Sequence, residues 1–513
     1  MGSNYYNKLY NDYEKTQEKL DCVLLELSNI RREHKEELKS LKKDLTKNFN
    51  KQKEALKETI NELNKKIEEK DKLIIKQQNE IDRLKNQNNK NSSNSSKPSS
   101  TDMFKPKKSG ANLYNYRTKS DKKIGGQKGH IGHNLSKKKV EDLIVNKNIE
   151  VREFNHIIKG NSNQKSKIKY TLGIDIKPYV EKHIFNYNEN SNDYLPKEYY
   201  TDVTYDNSIK ALSIELGTYN VVAYDRLSDF FSVITKGIIN ISNGTLVNFN
   251  KEFSNKSEKT INNIENNILN AKDINTDETN IKYDNKNIFV RNYSTENTVL
   301  YKPHLNKGHK PILEDNILPR FCGGIMADHD KTIYSYGTKR YECNIHLGRY
   351  LEELIQNINN ISWHKEMKSF IFKLNEDRKK AIEKGLDKFT EKEINEYEKE
   401  YDEIMNLAKE ENKTIKSTFY KDKANVLYRR LKKYKENHLY FIKDFKVRFD
   451  NNISEQDLRL FKIKTKVSGC FRSMDGAENY ANAISIIKTS IKRNINPYDS
   501  ICKIFDNEEL FTN

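Results

Sequence analysis

The sequence predicts a multidomain chain: an N-terminal coiled coil, small β and helix-turn-helix-like regions, and an α/β core carrying a helical insertion. Three observations predict it. Leucines and isoleucines recur at heptad spacing through a stretch almost free of Pro and Gly. The apolar period changes from helical to strand-like at Lys272. A long, highly charged helical stretch then separates a strand ending in acid from a capped helix that holds Glu455. The chain has 513 residues, 35 % of them hydrophobic, and a mean hydropathy of −0.94. That length holds two or more domains, and that composition suits long solvated helices beside a smaller packed core.

Composition also narrows the function classes. The formal charge is +18 and the pI is about 9.2, a balance that favours a polyanionic partner. The five cysteines, Cys22, Cys322, Cys343, Cys470 and Cys502, are odd in number and include no Cys-x-x-Cys pair. Neither a disulfide framework nor a zinc ribbon is indicated, and a reducing, cytoplasmic setting is expected. No apolar run reaches the roughly 18 residues of a membrane span. The first residues lack the apolar core of a signal peptide.

Residues 11–88 carry the heptad. Leu20, Leu24 and Leu27 begin it, Leu38, Leu41 and Leu45 continue it, and Leu56, Ile60, Leu63, Ile67, Ile74, Ile81 and Leu84 complete it. The pattern suits a self-associating, leucine-zipper-like coiled coil or a long solvated helix. A one-position slip between Leu45 and Leu56 predicts an interruption near Phe49. Residues 89–140 form a flexible basic linker. It opens with the Ser/Asn-rich NNKNSSNSSKPSSTD and includes Lys107, Lys108, Lys122 and Lys123. Its GGQKGHIGH run, with Gln127, Lys128 and His130, follows no hydrophobic strand, so it is not a dinucleotide loop. Such a segment can lie along a DNA backbone or serve as a disordered linker. Residues 150–200 alternate as a small β region. Residues 204–258 predict three short helices, Ile209–Leu216, Leu227–Ile234 and Leu246–Phe253, with turns at Gly217 and Gly237 and an N-cap at Ser242. They suit a helix-turn-helix reader of DNA or a plain helical bundle.

Residues 270–346 begin the core. Three short strands and then FCGGIMADHD, the first and fourth closing on Asp277 and Asp328, make the pattern of an RNase H-like sheet. Glu278 faces away from Asp277, whereas Asp330 shares the face of Asp328 and is its runner-up. Each acid alone also suits a strand-end turn. YECNIHLGRYLEELI predicts a helix carrying Cys343 and His346, and residues 347–444 a charged helical insertion in which Trp363 is a packing residue. Residues 445–513 complete the core. A helix over Ile453–Lys462, capped by Asp450, Asn451, Asn452 or Ser454, puts Arg459 one turn beyond Glu455 and turns Leu458 and Phe461 inward. Such a carboxylate, with Arg459, Lys462 and Lys464 nearby for phosphates, suits a metal ligand beside a phosphate site, or a solvated acid on a basic helix. A helix over Ala477–Lys492 and another opened by Asn496-Pro497 end the chain.

Several segments, in order, resemble the transposases of the insertion sequence 66 family: NSSNSSKPSSTD with GGQKGHIGHNL, YDNSIKALSIELG with ISNGTL, TDET, ADHDKTIYSYG with CNIH, and DNNISEQDLR with KVSGCFRSMDGAE. The resemblance implies a DDE-type transposase with its acidic triad on Asp277, Asp328 and Glu455, and Cys343, His346 and Arg459 in support. It implies cleavage and strand transfer at element ends by a two-ion mechanism using Mg²⁺ or Mn²⁺, with Asp277 bridging the ions. Expected partners are double-stranded DNA (terminal inverted repeats and target), a second copy through the coiled coil and accessory element-encoded proteins, in the bacterial cytoplasm at the nucleoid. Relatives often carry a cysteine zinc module after the basic motif. Here residues 151–197 hold no cysteine and only His156 and His183, so no zinc is expected. An inactive derivative acting as a dimeric DNA-binding protein is the alternative, and a filament-like structural protein leaves the ordered acids unexplained.

Overall fold

The computed structural model describes residues 3–91, 94, 95, 136–147, 150–154, 168–172, 174, 176–184, 201–284 and 286–512. Lys107, Lys108, Lys122, Lys123, Gln127, Lys128 and His130, expected to contact DNA, lie outside the described residues, as does His156. The chain divides into two compact units.

One unit is the N-terminal helix α1 (Ser3–Asn89) with the short segment Lys416–Tyr420. The helix is continuous through Phe49, where the heptad slip predicts an interruption. A one-position slip redirects an apolar seam but breaks no backbone hydrogen bond, and no Pro or Gly lies in the helix to do so. Its heptad residues, from Leu20 to Leu84, are exposed.

The other unit holds the rest. Helix α2 spans Lys137–Lys147. None of the described residues in 150–200 is in a strand, so the β region expected there is absent among them. Helix α3 (Asn207–Ile214) runs into a π-helical turn, Glu215–Tyr219, that includes Gly217. Helix α4 (Tyr224–Ile234) ends in a turn where Gly237 takes φ +82°. Helix α5 (Asn243–Lys256) is capped by Ser242, which accepts the Thr245 N–H, and α6 is Glu258–Leu269. These helices share one core with Ile274, Leu300, Ile325, Ile487 and Ile504.

A five-stranded mixed sheet follows, in the order β3-β2-β1-β4-β5. Strands β1 (Asp273–Tyr283), β2 (Lys286–Ser294) and β3 (Val299–His304) are antiparallel neighbours. After helix α7 (His309–Asp315), β4 (Gly324–Ala327) pairs parallel to β1, and β5 (Lys339–Glu342) parallel to β4. The Gly323-Gly324 pair allows β4 to approach β1. A Cβ on Gly323 would meet the Lys272 carbonyl, and one on Gly324 the Asp273 carboxylate and the Tyr341 ring. Two strand expectations need correction. Asp277 lies inside β1, because the strand continues to Tyr283 in antiparallel pairing with β2. The helix expected to begin at Tyr341 begins at Asn344, because Lys339–Glu342 are drawn into the sheet as β5.

Helix α8 (Asn344–Asn357) leads into α9 (Trp363–Glu383), α10 (Glu391–Thr414), α11 (Thr418–Lys433) and α12 (Lys435–Lys443). Thr390 and Glu393 form a reciprocal capping box on α10. Trp363 is buried, and its indole N–H donates to Asn412 Oδ1 at 2.9 Å. Helix α13 (Asn452–Ser468) runs six residues past Lys462 and stops at Gly469, at φ +76°. Leu458 and Phe461 turn into a second core with Val290, Tyr301, Tyr480 and Ile484. Helices α14 (Met474–Lys492) and α15 (Pro497–Phe505) close the unit, with Asn496 capping α15 and Pro497 in its first turn. No helix among the described residues is long and apolar enough to cross a membrane.

Candidate active site

The register of two parallel strands builds the site. The last β1/β4 pair is Asn275 with Met326. Asp277 and Asp328 each lie two residues further on, so the side-chain alternation of both strands carries them to the same face. They line a cleft of about 550 Å³ at the end of β4, together with Arg291, Lys307 and Lys331. Glu278, expected to face away from Asp277, instead lines the same cleft, where it pairs with Arg291 at 3.0 Å and Lys307 at 3.1 Å. Asp330 also lines the cleft, accepting from the Thr332 N–H and hydroxyl and lying 3.8 Å from Arg291.

Glu455 reaches the strand ends from the first turn of α13. No side chain caps that helix in the usual way. Asn451, at the N-cap position, spends its side chain on β1 instead, accepting from Asn275 Nδ2 at 2.8 Å and donating to the Thr276 carbonyl at 2.9 Å. Ser454 is buried and donates to Asn292 Oδ1 on β2 at 2.5 Å. Cap-type residues here anchor the helix to the sheet.

Cys343 and His346 complete the surroundings. Cys343 is the N-cap residue of α8; its N–H donates to the Ala327 carbonyl, and its Sγ accepts the Asn451 N–H at 3.3 Å. The thiol therefore touches the start of the Glu455 helix, while its backbone holds the end of β4 beside Asp328. His346 Nδ1 lies 2.5 Å from Asp328 Oδ1, 3.3 Å from Cys343 Sγ and 3.7 Å from Glu455 Oε1. One ligand atom from each of Asp328, Cys343, His346 and Glu455 can be chosen so that all four lie within 4.8 Å of one another.

Two carboxylates, an imidazole and a thiol are donors that zinc also takes. Arg349 Nη1 lies 3.0 Å from His346 Nε2, and a guanidinium can only donate, so in the neutral ring Nε2 supplies the lone pair and Nδ1 keeps the proton. Burial of the ring opposes its charge, but Cys343 and Asp328 outweigh that and hold its pKa well above the usual imidazole range. In either charge state Nδ1 bears a proton toward the carboxylates and orients them. The carboxylates themselves suit a hard cation. Asp328 Oδ1 is buried beside His346 Nδ1. Asp277 stands outside the set of four but feels its charge: burial first, then Asp328 and Glu455, raise its pKa to about 7. Carboxyls that repel one another in this way are relieved by a divalent ion.

The remaining expected contacts separate. Arg459 and Lys462 are exposed on α13. Lys464, expected beside them on the DNA-facing surface, is buried. Its Nζ donates to the Gly217 carbonyl at 3.2 Å and lies over the Tyr224 and Tyr480 rings. Burial lowers its pKa. The residue missed from sequence is the buried Asn292; Asn451, expected as a cap, joins the helix to the sheet instead.

The molecule thus belongs to the class of mixed α/β chains that gather carboxylates at the open end of a parallel strand pair, under the first turn of a helix. Residues 203–479, just over half the chain, match the family model described as Transposase IS66 family, and the chain belongs to that family. No curated protein matches it.

Proposed function

We propose that the chain is a DDE-type DNA transposase that cleaves the ends of an insertion sequence and joins them to target DNA on an RNase H-like core. The observation that carries this reading is the in-register placement of Asp277 and Asp328 beyond the last β1/β4 pair, with Glu455 brought to them by α13. The sheet order, with three antiparallel strands followed by two parallel ones, supports the core assignment. Asp277, Asp328 and Glu455 are the residues that would hold Mg²⁺ or Mn²⁺. When bound, such ions supply activation of the nucleophile and stabilisation of the leaving oxygen.

In the first step water attacks a phosphodiester, the P–O3′ bond breaks, and a 3′-hydroxyl is released. In the second that hydroxyl attacks a target phosphodiester and displaces its 3′ oxygen. The protein's own groups position these reactions. Cys343, His346 and Asn451 hold the acid-bearing elements. Arg459 and Lys462, exposed on α13, would meet phosphates. The basic segment around Lys107, Lys108, Lys122, Lys123, Gln127, Lys128 and His130 supplies further backbone contacts. Helix α1 pairs two copies, and accessory element-encoded proteins complete the assembly. The metal requirement is met without zinc.

The test is nicking and strand transfer on DNA carrying the element's terminal repeats. Mg²⁺-dependent products are expected from the wild type and none from Glu455→Gln, with DNA binding kept in both. Binding without cleavage by the wild type under Mg²⁺ and Mn²⁺ would instead identify an inactive, DNA-binding derivative.

A further inference from the structure

The geometry points to Asn292 as a positioning residue that sets the spacing between Asp277 and Glu455 and so tunes metal affinity. Asn292 lies on β2, directly across from Asp277 on β1, and is fully buried. Its Oδ1 accepts the Asp277 N–H at 3.1 Å and the Ser454 hydroxyl at 2.5 Å. Its Nδ2 donates to the Ser454 carbonyl at 3.1 Å and to Ser294 Oγ at 3.0 Å. All four hydrogen-bonding positions of the amide are thus committed. Ser294 extends the link, donating to Asp457 Oδ2 at 2.9 Å, two residues beyond Glu455 on α13. One amide therefore grips the backbone of one acid and the residue preceding another, 178 positions apart in the chain.

Packing alone does not call for an asparagine here. The neighbouring second core is apolar, and a buried amide destabilises unless every polar atom is satisfied. What the amide supplies is direction. It fixes where the first turn of α13 starts against β1, and hence how far the Glu455 carboxylate stands from that of Asp277. Residues behind the ligands of a metal site commonly change metal affinity or activity 10–100-fold when replaced.

This inference rests on the metal reading above, and the experiment separates the two. Mn²⁺ binding to the full chain, free of DNA, is measured by electron paramagnetic resonance for the wild type, Asn292→Ala, Ser454→Ala and Asp277→Asn. Asn292→Ala is expected to weaken Mn²⁺ binding about 10–100-fold, with cleavage recovering as Mn²⁺ is raised. Ser454→Ala removes a single hydroxyl from the same link and is expected to weaken binding by a smaller factor. It keeps the test open should the asparagine variant not fold. Wild-type Mn²⁺ affinity in the folded asparagine variant or, should that variant not fold, in the serine variant, with Asp277→Asn impaired, would overturn the positioning role alone. Unchanged binding in Asp277→Asn would overturn the metal reading and the positioning role with it.

Discussion

Asp277 holds a charge that the metal-free protein carries at a cost. Its pKa is raised from 3.8 to about 7, by burial and then by Asp328 and Glu455. Between those values the native state binds more protons than the unfolded chain, so this group makes stability fall as pH rises from about 4 to 7. A three-unit shift corresponds to at most ~4 kcal/mol, and relaxation around a cleft residue brings it to the order of 2 kcal/mol. Asp277→Asn is therefore expected to raise the melting temperature of the metal-free protein at pH 7 while abolishing cleavage. Near pH 4 the two proteins should melt together. Melting curves in EDTA across pH 4–8 test this, and an Asn variant less stable than wild type at pH 7 would contradict it. That Asp277 and Asp328 share a face depends on the β1/β4 register, which alternation within either strand does not set; the sequence offered both as strand-end acids, and Asp277 lies inside β1. Lys464 was misread, although the signal was present: it stands three residues after Phe461 and seven after Asp457, on the buried face of α13. Asn292 was not legible. An asparagine in a strand pattern reads as a turn residue, and its partners lie 15 and 162 positions away.

At the scale of elements, the helical insertion is tied to the strand ends by buried polar groups. Arg430 on α11 pairs with Glu342 at the end of β5, and Glu342 also meets His329, the neighbour of Asp328. His438 on α12 is fully buried; its Nδ1 lies 3.0 Å from Asn344 Oδ1, and Asn344 Nδ2 donates back to the His438 carbonyl. The sequence showed that charged helices lie between Asp328 and Glu455, since their period and charge are local properties. It did not show β5, because four residues, three of them charged, become a strand only through a neighbour to pair with. Nor did it show that His438 is a neutral joint. Burial lowers its pKa from 6.5 to about 3. The unfolded chain therefore binds more protons between those values, and stability is lost as pH falls below about 6.5. By pH 5 the loss is ~2 kcal/mol. A His438→Gln variant, which cannot titrate, should lose less stability than wild type between pH 7 and pH 5 in chemical denaturation. Equal losses would show that His438 is not buried in its neutral form.

At the scale of the whole molecule, the question is what covers the seam of α1. An 87-residue helix is roughly 130 Å long at 1.5 Å per residue. Leu56, Ile60, Leu63, Ile67 and Ile74 recur along it at heptad spacing and are more than half exposed in the single chain. Burying a side chain of this size gains roughly 1.5–3 kcal/mol. Pairing with a second copy covers the whole series at once, because identical helices present identical seams. Lys70 and Gln77 fall in the same series and would disfavour shifted registers, at some loss of stability. The full chain is therefore expected to have a mass in solution of at least twice its 60.4 kDa. Replacing Leu63 and Ile67 together by Glu puts like charges opposite one another in the seam and should weaken association at least 100-fold. Helical content should change little, since glutamate is a good helix former. Light scattering at micromolar protein, with circular dichroism on the same samples, measures both. A monomeric wild type, or a double variant that keeps its assembled mass, would remove α1 as the dimerisation element and leave its leucines to another partner.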